Sequence, residues 1–259
     1  MKRILLRVAY DGTAYCGFQL QPEKPTIEGA LNQAVSALTG EAVFVTGASR
    51  TDSGVHARGN VAVFDTDSTI PPERFSFALN TKLPGDIRIV SSCEVDPLFH
   101  PRHQECRKTY EYRIDNRPFQ DPCGRLYAMH FPRRLDLAKM NEGARFLIGE
   151  HDFTSFANPS SQVLLAGGDA VRTIDSVTVS GEERGDIVIR VTGNGFLYNM
   201  VRIIAGTLLD VGTGRFRPED VEKMLFAKDR RAAGMTAEAK GLTLCEIEYR
   251  EEELFPRKE

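Results

Sequence analysis

The stretch Ser49-Arg50-Thr51-Asp52-Ser53-Gly54 places one carboxylate two residues after an arginine, and His56 and Arg58 follow it within six residues. A carboxylate kept ionised by neighbouring cations can act as a nucleophile. An Asp before Ser-Gly is ordinarily a turn residue. A turn uses only one or two of the residues assembled here, whereas a site holding an ionised acid against an anionic ligand uses them all. Asp52 is therefore the leading catalytic candidate, with Arg50 and Arg58 as candidate substrate contacts.

Other clusters carry weaker signals. Asp52-Ser53-Gly54 matches the Asp-Ser/Thr-Gly of aspartic proteases, but those enzymes share one proton between two carboxylates. The chain holds no second such triplet, so a dimer would have to supply it, and Arg50 opposes proton sharing. His100, His103 and Cys106 are spaced three apart, yet Pro101 interrupts them, and a structural zinc site wants four ligands in tight pairs. They read as a polar connector. Tyr110 and Tyr112 alternate on a predicted strand and share a face, with Arg107, Lys108 and Arg113 around them. Core packing explains the pair; aromatics interleaved with bases also stack nucleobases and hold phosphates. "GNGFLYNMVRIIAGTLLDVGTG" lacks the spacing of a phosphate loop. Its peculiarity is Arg202, set among Met200, Val201, Ile203 and Ile204. A buried guanidinium needs a carboxylate or a ligand, while a snorkelling one needs neither.

The elements that must position these residues follow from periodicity. "RILLRVAYDG" reads as a strand ending in an Asp-Gly turn. "TIEGALNQAVSALTG" has helical spacing, with Thr26 as N-cap and Gly40 as stop. "AVFVTGAS", "GNVAVFDT" and "DIRIVSSCEV" read as strands, and "PPERFSFALNTKL" as a weak helix begun by prolines. Beyond them come the strand "RKTYEYRIDN", the amphipathic helix "LDLAKMNEGARFLIGEHDF" and the hairpin "TIDSVTVSGEERGDIVIRVTGNGF". The helices "LYNMVRIIAGTLLDVGTG" and "RPEDVEKMLFAKD" and the strand "GLTLCEIEYR" complete the series. "GEERGD" and "REEELFPRKE" read as a solvated loop and tail. The pattern predicts an α+β fold of two ferredoxin-like halves, residues 1–104 and 105–259, with mainly antiparallel sheets, helices packed on them and a cleft between the halves.

Composition sets the outer bounds. The 259 residues are 41% hydrophobic and 27% charged, ordinary for a globular chain large enough to bury a core. No apolar run reaches the length of a membrane helix, and the N-terminus reads as a first strand, not a signal peptide. The five cysteines are scattered without a CxxC pair, which suits a reducing, cytoplasmic setting. The formal net charge is −3, but 33 Lys and Arg suffice to build a local phosphate-binding stripe.

Taken together, "AYDGTAYCGFQLQ", "SRTDSGVHARGNVAVF", "LFHPRHQECRKTYEYRI", "GNGFLYNMVRIIAGTLLDVGTG" and "AKGLTLCEIEY" resemble the tRNA pseudouridine synthase A family in content and order over nearly the whole chain. The resemblance implies a homodimeric enzyme without cofactor or metal, acting on uridines 38 to 40 of the tRNA anticodon arm. No membrane and no other protein partner is implied. On that resemblance Asp52 would be the nucleophile, Tyr110 would stack on the target uracil, Arg202 would pair with Asp52, and Arg50 would touch the RNA and help displace the nucleotide. Two departures from the family pattern stand out. Ser49 and Ser53 replace Gly and Ala around Arg-Thr-Asp, and Thr109 separates the basic pair from Tyr110. The rival readings are a non-catalytic RNA-binding module, which leaves Asp52 dispensable, and the protease, which leaves Arg202 dispensable.

Overall fold

The computed structural model describes residues 1–255. Two compact units divide the chain: residues 1–106 together with the segment from Thr243 onward, and Arg107–Leu242.

The first unit begins with β1 (Lys2–Tyr10), α1 (Ile27–Thr39), β2 (Thr46–Gly47), β3 (His56–Thr66), α2 (Phe75–Asn80) and β4 (Ile87–Val95). Strand β1 pairs antiparallel with β3 on one side and β4 on the other, and β2 lies antiparallel on the far edge of β3. This β-α-β-β-α-β order with β4-β1-β3-β2 pairing is the ferredoxin-like arrangement that the element pattern predicts. Alternation along β1 sends Ile4, Leu6 and Val8 into the core. The apolar stripe of α1 buries Ile27, Leu31, Ala34 and Val35, each larger side chain contributing roughly 1.5–3 kcal/mol. Thr26 accepts from the Gly29 N–H at 3.2 Å, and Gly40 closes the helix at φ +75°.

The strand expected over "AVFVTGAS" is much shorter than its β-branched content suggests. Only Thr46–Gly47 joins the sheet. Upstream, the Val43 N–H donates to Ser36 Oγ (3.3 Å) and the Val45 N–H to Asn32 Oδ1 (2.7 Å). Polar side chains of α1 thus satisfy backbone groups that a ladder would otherwise use, and Phe44 is left exposed.

The terminal strand β10 (Leu242–Tyr249) lies parallel to the start of β3, pairing Thr243 with His56 and Leu244 with Ala57. The chain then forms one helical turn at Glu251–Leu254, and the Leu254 carbonyl accepts from the Asp96 N–H at 3.1 Å. The last part of the charged tail, residues 256–259, lies outside the described residues.

The second unit holds β5 (Cys106–Asp115), β6 (Met129–His130), α3 (Leu137–Arg145), β7 (Gly149–Asp152) and the single-turn α4 (Gln162–Leu165). It continues with β8 (Val171–Gly181), β9 (Asp186–Gly193), α5 (Met200–Gly212) and α6 (Asp220–Ala227). Its sheet runs β5-β9-β8-β7, antiparallel throughout, with β6 parallel beside the end of β5. The helix expected over "LDLAKMNEGARFLIGEHDF" stops at Arg145. Gly149 takes φ +110°, outside helical backbone, and the remainder pairs as β7 with β8. Helix α5 is buried on nearly all sides, which explains its continuous apolar sequence. The segment after α6 straps across it: the Gly234 N–H donates to Thr207 Oγ1 (2.9 Å) and the Ala237 N–H to the Arg202 carbonyl (3.1 Å).

Candidate active site

Asp52 sits in the connection between β2 and β3, half-buried, in a turn closed by the Val55 N–H donating to the Asp52 carbonyl at 3.1 Å. Gly54 takes φ +78°, the left-handed value a type II turn needs at its third residue. The turn is gripped along its length by the chain that follows β1. The Phe18 N–H donates to the Thr51 carbonyl (3.0 Å), and Ser53 Oγ donates to the Tyr15 carbonyl (3.2 Å). The buried Thr51 hydroxyl lies 2.7 Å from the Tyr10 hydroxyl. Asn60 Nδ2 donates both to Tyr10 Oη (3.1 Å) and to the Ser49 carbonyl (3.0 Å). The carboxylate thus rides on a backbone with little freedom to rearrange.

Gly17 lets these two segments meet. It adopts φ +90°, and a Cβ there would lie 2.7 Å from the Thr51 carbonyl oxygen. The sequence reads "RILLRVAYDG" as strand and turn, and "AYDGTAYCGFQLQ" enters only as part of the family resemblance, with no structural role for Gly17. The signal available was two glycines, Gly12 and Gly17, flanking Tyr15 directly after a buried strand.

Two arginines flank the turn in sequence. Arg50 and Arg58 are both exposed. His56 is buried, its Nδ1 3.1 Å from Asp11 Oδ1 and 3.1 Å from the Gly12 nitrogen, so this ring is tied to the β1 end of the unit.

Tyr110 and Arg202 belong to the second unit. Tyr110 projects from β5, 7% exposed, and meets the half-buried Phe196 edge to face, with ring centroids 5.1 Å apart at 80°. Such aromatic pairs fix ring orientation. Tyr112, on the same face, is fully buried and donates to the Glu238 carbonyl at 2.8 Å. Burial pushes its phenol far above the ordinary tyrosine range, so Tyr112 is a neutral packing residue, as its alternation suggests.

Arg202 is half-buried and held by its own unit. Its Nε donates to the Ala237 carbonyl (2.8 Å) and Nη1 to Asn199 Oδ1 (3.0 Å). Asn199, at φ +62°, turns the chain into α5 and receives the guanidinium one helical turn later. This guanidinium does not simply snorkel; two acceptors aim it.

The remaining clusters stay outside this picture. His100 and His103 stack at 3.9 Å and 18°, while Cys106 opens β5. Among the described residues no group of His, Cys, Asp and Glu is arranged to hold a metal ion, and no helix is long and apolar enough to cross a membrane.

Comparison with known proteins gives a consistent result. A family model described as tRNA pseudouridine synthase matches residues 7–104 and 144–250, segments that include Asp52 and Arg202 but not Tyr110. The chain is 47% identical over 250 residues to tRNA pseudouridine synthase A of Brevibacillus brevis, covering 96% of this chain and 100% of that protein. It is 46% identical to the Bacillus pumilus protein of that name, over 95% of this chain and 99% of the relative. With the Caldicellulosiruptor saccharolyticus protein of the same name identity is 45%, over 96% and 100%.

Proposed function

This chain belongs to the tRNA pseudouridine synthase family, and from that premise we propose that it isomerises uridine to pseudouridine at positions 38 to 40 of the tRNA anticodon stem-loop, with Asp52 as nucleophile. The observation that carries this reading is the immobilised Asp52 turn, whose neighbours Thr51, Ser53 and Gly54 are all engaged by the chain after β1 while Arg50 and Arg58 stand exposed beside it.

The reaction breaks the bond between N1 and C1′, turns the uracil and rejoins it through C5. N1 gains a proton and C5 loses one, so the sum of atoms and electrons is unchanged. What the protein must supply is an ionised nucleophile and a water-poor pocket that retains a detached base. Attack at C1′ and attack at C6 both require the Asp52 carboxylate to be charged. Arg202 provides the counter-charge when water is excluded, a role that its two fixed acceptors suit. Tyr110, oriented by Phe196, stacks on the uracil. The target lies in a stacked stem and must be flipped out, at a cost of a few kcal/mol that stacking and phosphate contacts offset. Arg50 and Arg58 make such contacts. The resemblance in the sequence also supports a homodimer working in the cytoplasm.

Incubation of the purified protein with unmodified tRNA, followed by carbodiimide mapping, tests reaction and position together. Modification at positions 38 to 40 supports the reading; none at these positions contradicts it.

A further inference from the structure

We infer that Arg102 is a further tRNA-binding residue, holding a backbone phosphate beside Arg50. The argument starts from how firmly its carrier is fixed. Arg102 lies in the connector between β4 and β5. The Phe99 carbonyl accepts from Arg3 Nη1 (2.8 Å), and the Pro101 carbonyl accepts from Tyr249 Oη (2.6 Å). The Tyr249 ring packs edge to face on the buried Phe99, with centroids 5.1 Å apart. The His103 N–H donates to the His100 carbonyl (3.0 Å), the Arg102 N–H lies 3.3 Å from His100 Nδ1, and the two histidine rings stack. Burial, with help from the neighbouring cations, holds His100 below the ordinary imidazole range, so its Nδ1 remains an acceptor near neutral pH.

From this rigid turn Arg102 reaches back to β2, where Nε donates to the Gly47 carbonyl at 2.7 Å. That bond fixes the guanidinium plane and leaves Nη1 and Nη2 as a planar fork. Among the described residues no carboxylate forms an ion pair with Arg102. The acid that acts on it electrostatically is Glu28, whose Oε2 already accepts from the Leu20 N–H at 2.7 Å. Arg50 lies near enough that its like charge, after burial itself, disfavours the charged form of Arg102 more than Glu28 favours it. Both guanidiniums are exposed and Arg50 acts on Arg102 electrostatically, so together they concentrate positive charge at this edge of the first unit. A phosphodiester supplies the missing counter-charge and matches the fork in geometry. A guanine edge also fits such a fork, but it brings no counter-charge.

The inference rests on tRNA being the ligand, and its test reads binding separately from turnover. Affinity for unmodified tRNA is measured across a salt series for the wild type, Arg102→Met and Arg102→Lys, with kcat at saturating tRNA and a thermal melt for each. Loss of one phosphate contact in Arg102→Met should weaken binding roughly five- to tenfold and lower the steepness of the log–log salt dependence by about 0.7–0.9. It should leave kcat at saturation and the melting temperature near wild type, and Arg102→Lys should recover most of the salt dependence. An unchanged salt slope in Arg102→Met overturns the inference, whether affinity is unchanged or falls with a lowered melting temperature, as a purely structural role requires. The slope decides on Arg102 whether or not pseudouridine forms in the same samples; pseudouridine formation decides the proposed function.

Discussion

Gly17 faces the Thr51 carbonyl so closely that a single added carbon would come within 2.7 Å of that oxygen. The backbone bearing Asp52 is therefore shaped by a residue thirty-five positions earlier, and the two segments work as one structure.

Gly17→Ala should expose this dependence. The left-handed backbone and the clash with Thr51 both oppose the methyl group, at a cost of about 1–3 kcal/mol. Denaturant melts should show that loss. At a temperature where the variant remains folded, turnover should fall more than tRNA affinity, because the displaced element is the Asp52 turn. Wild-type turnover in a folded variant would show that the clamp is not needed for catalysis.

Arg202 should not tolerate replacement by lysine. The guanidinium spans the Ala237 carbonyl and Asn199 Oδ1 at once, and one ammonium cannot reproduce that fork. Arg202→Lys and Arg202→Met should each lower kcat by roughly a hundredfold or more while far-UV circular dichroism stays native. Full activity of Arg202→Met would remove this residue from the mechanism.

Acid should weaken the second unit through Asp115. Its carboxylate accepts from the Asp121 N–H (2.7 Å) and from the Arg117 N–H (3.2 Å) and Nε (2.9 Å), and Arg117 also pairs with Asp186. Burial pushes the Asp115 carboxyl up, but these N–H groups and the guanidinium outweigh it and hold it below the usual carboxylate range. A pKa depressed in the folded state gives stability that is present above the unfolded value of ~3.9 and is lost as pH falls through the lower folded value. Asp115→Asn should therefore cost about 1–3 kcal/mol near neutral pH, and the gap from wild type should shrink in acid. Urea midpoints at neutral and acid pH check this; an equal gap at both would contradict it.

Much of this was readable from local sequence. The cap residues Thr26 and Gly40 bound α1 as expected because capping depends on neighbours in the chain. Asp52 stood out because Arg50, Gly54, His56 and Arg58 are all close to it in sequence. What escaped depends on partners far away along the chain. "AVFVT" carries β-branched residues, yet Asn32 and Ser36 claim its N–H groups. The grip of Tyr10, Tyr15 and Phe18 on the Asp52 turn crosses more than thirty residues. Arg102 passed as part of a polar connector because its anchor, Gly47, is fifty-five residues away. Arg202 was visible as an anomaly in an apolar helix, but its acceptor at Ala237 lies on a later strap that no periodicity reveals.

The central claim is that the charged oxygen of Asp52 initiates the isomerisation. Asp52→Asn preserves side-chain size and removes the charge, so the most direct measurement is single-turnover conversion of unmodified tRNA by this variant, alongside its tRNA affinity. The account predicts a rate lower by on the order of 10⁴-fold or more, with affinity close to wild type. Pseudouridine formed at the wild-type rate would contradict it.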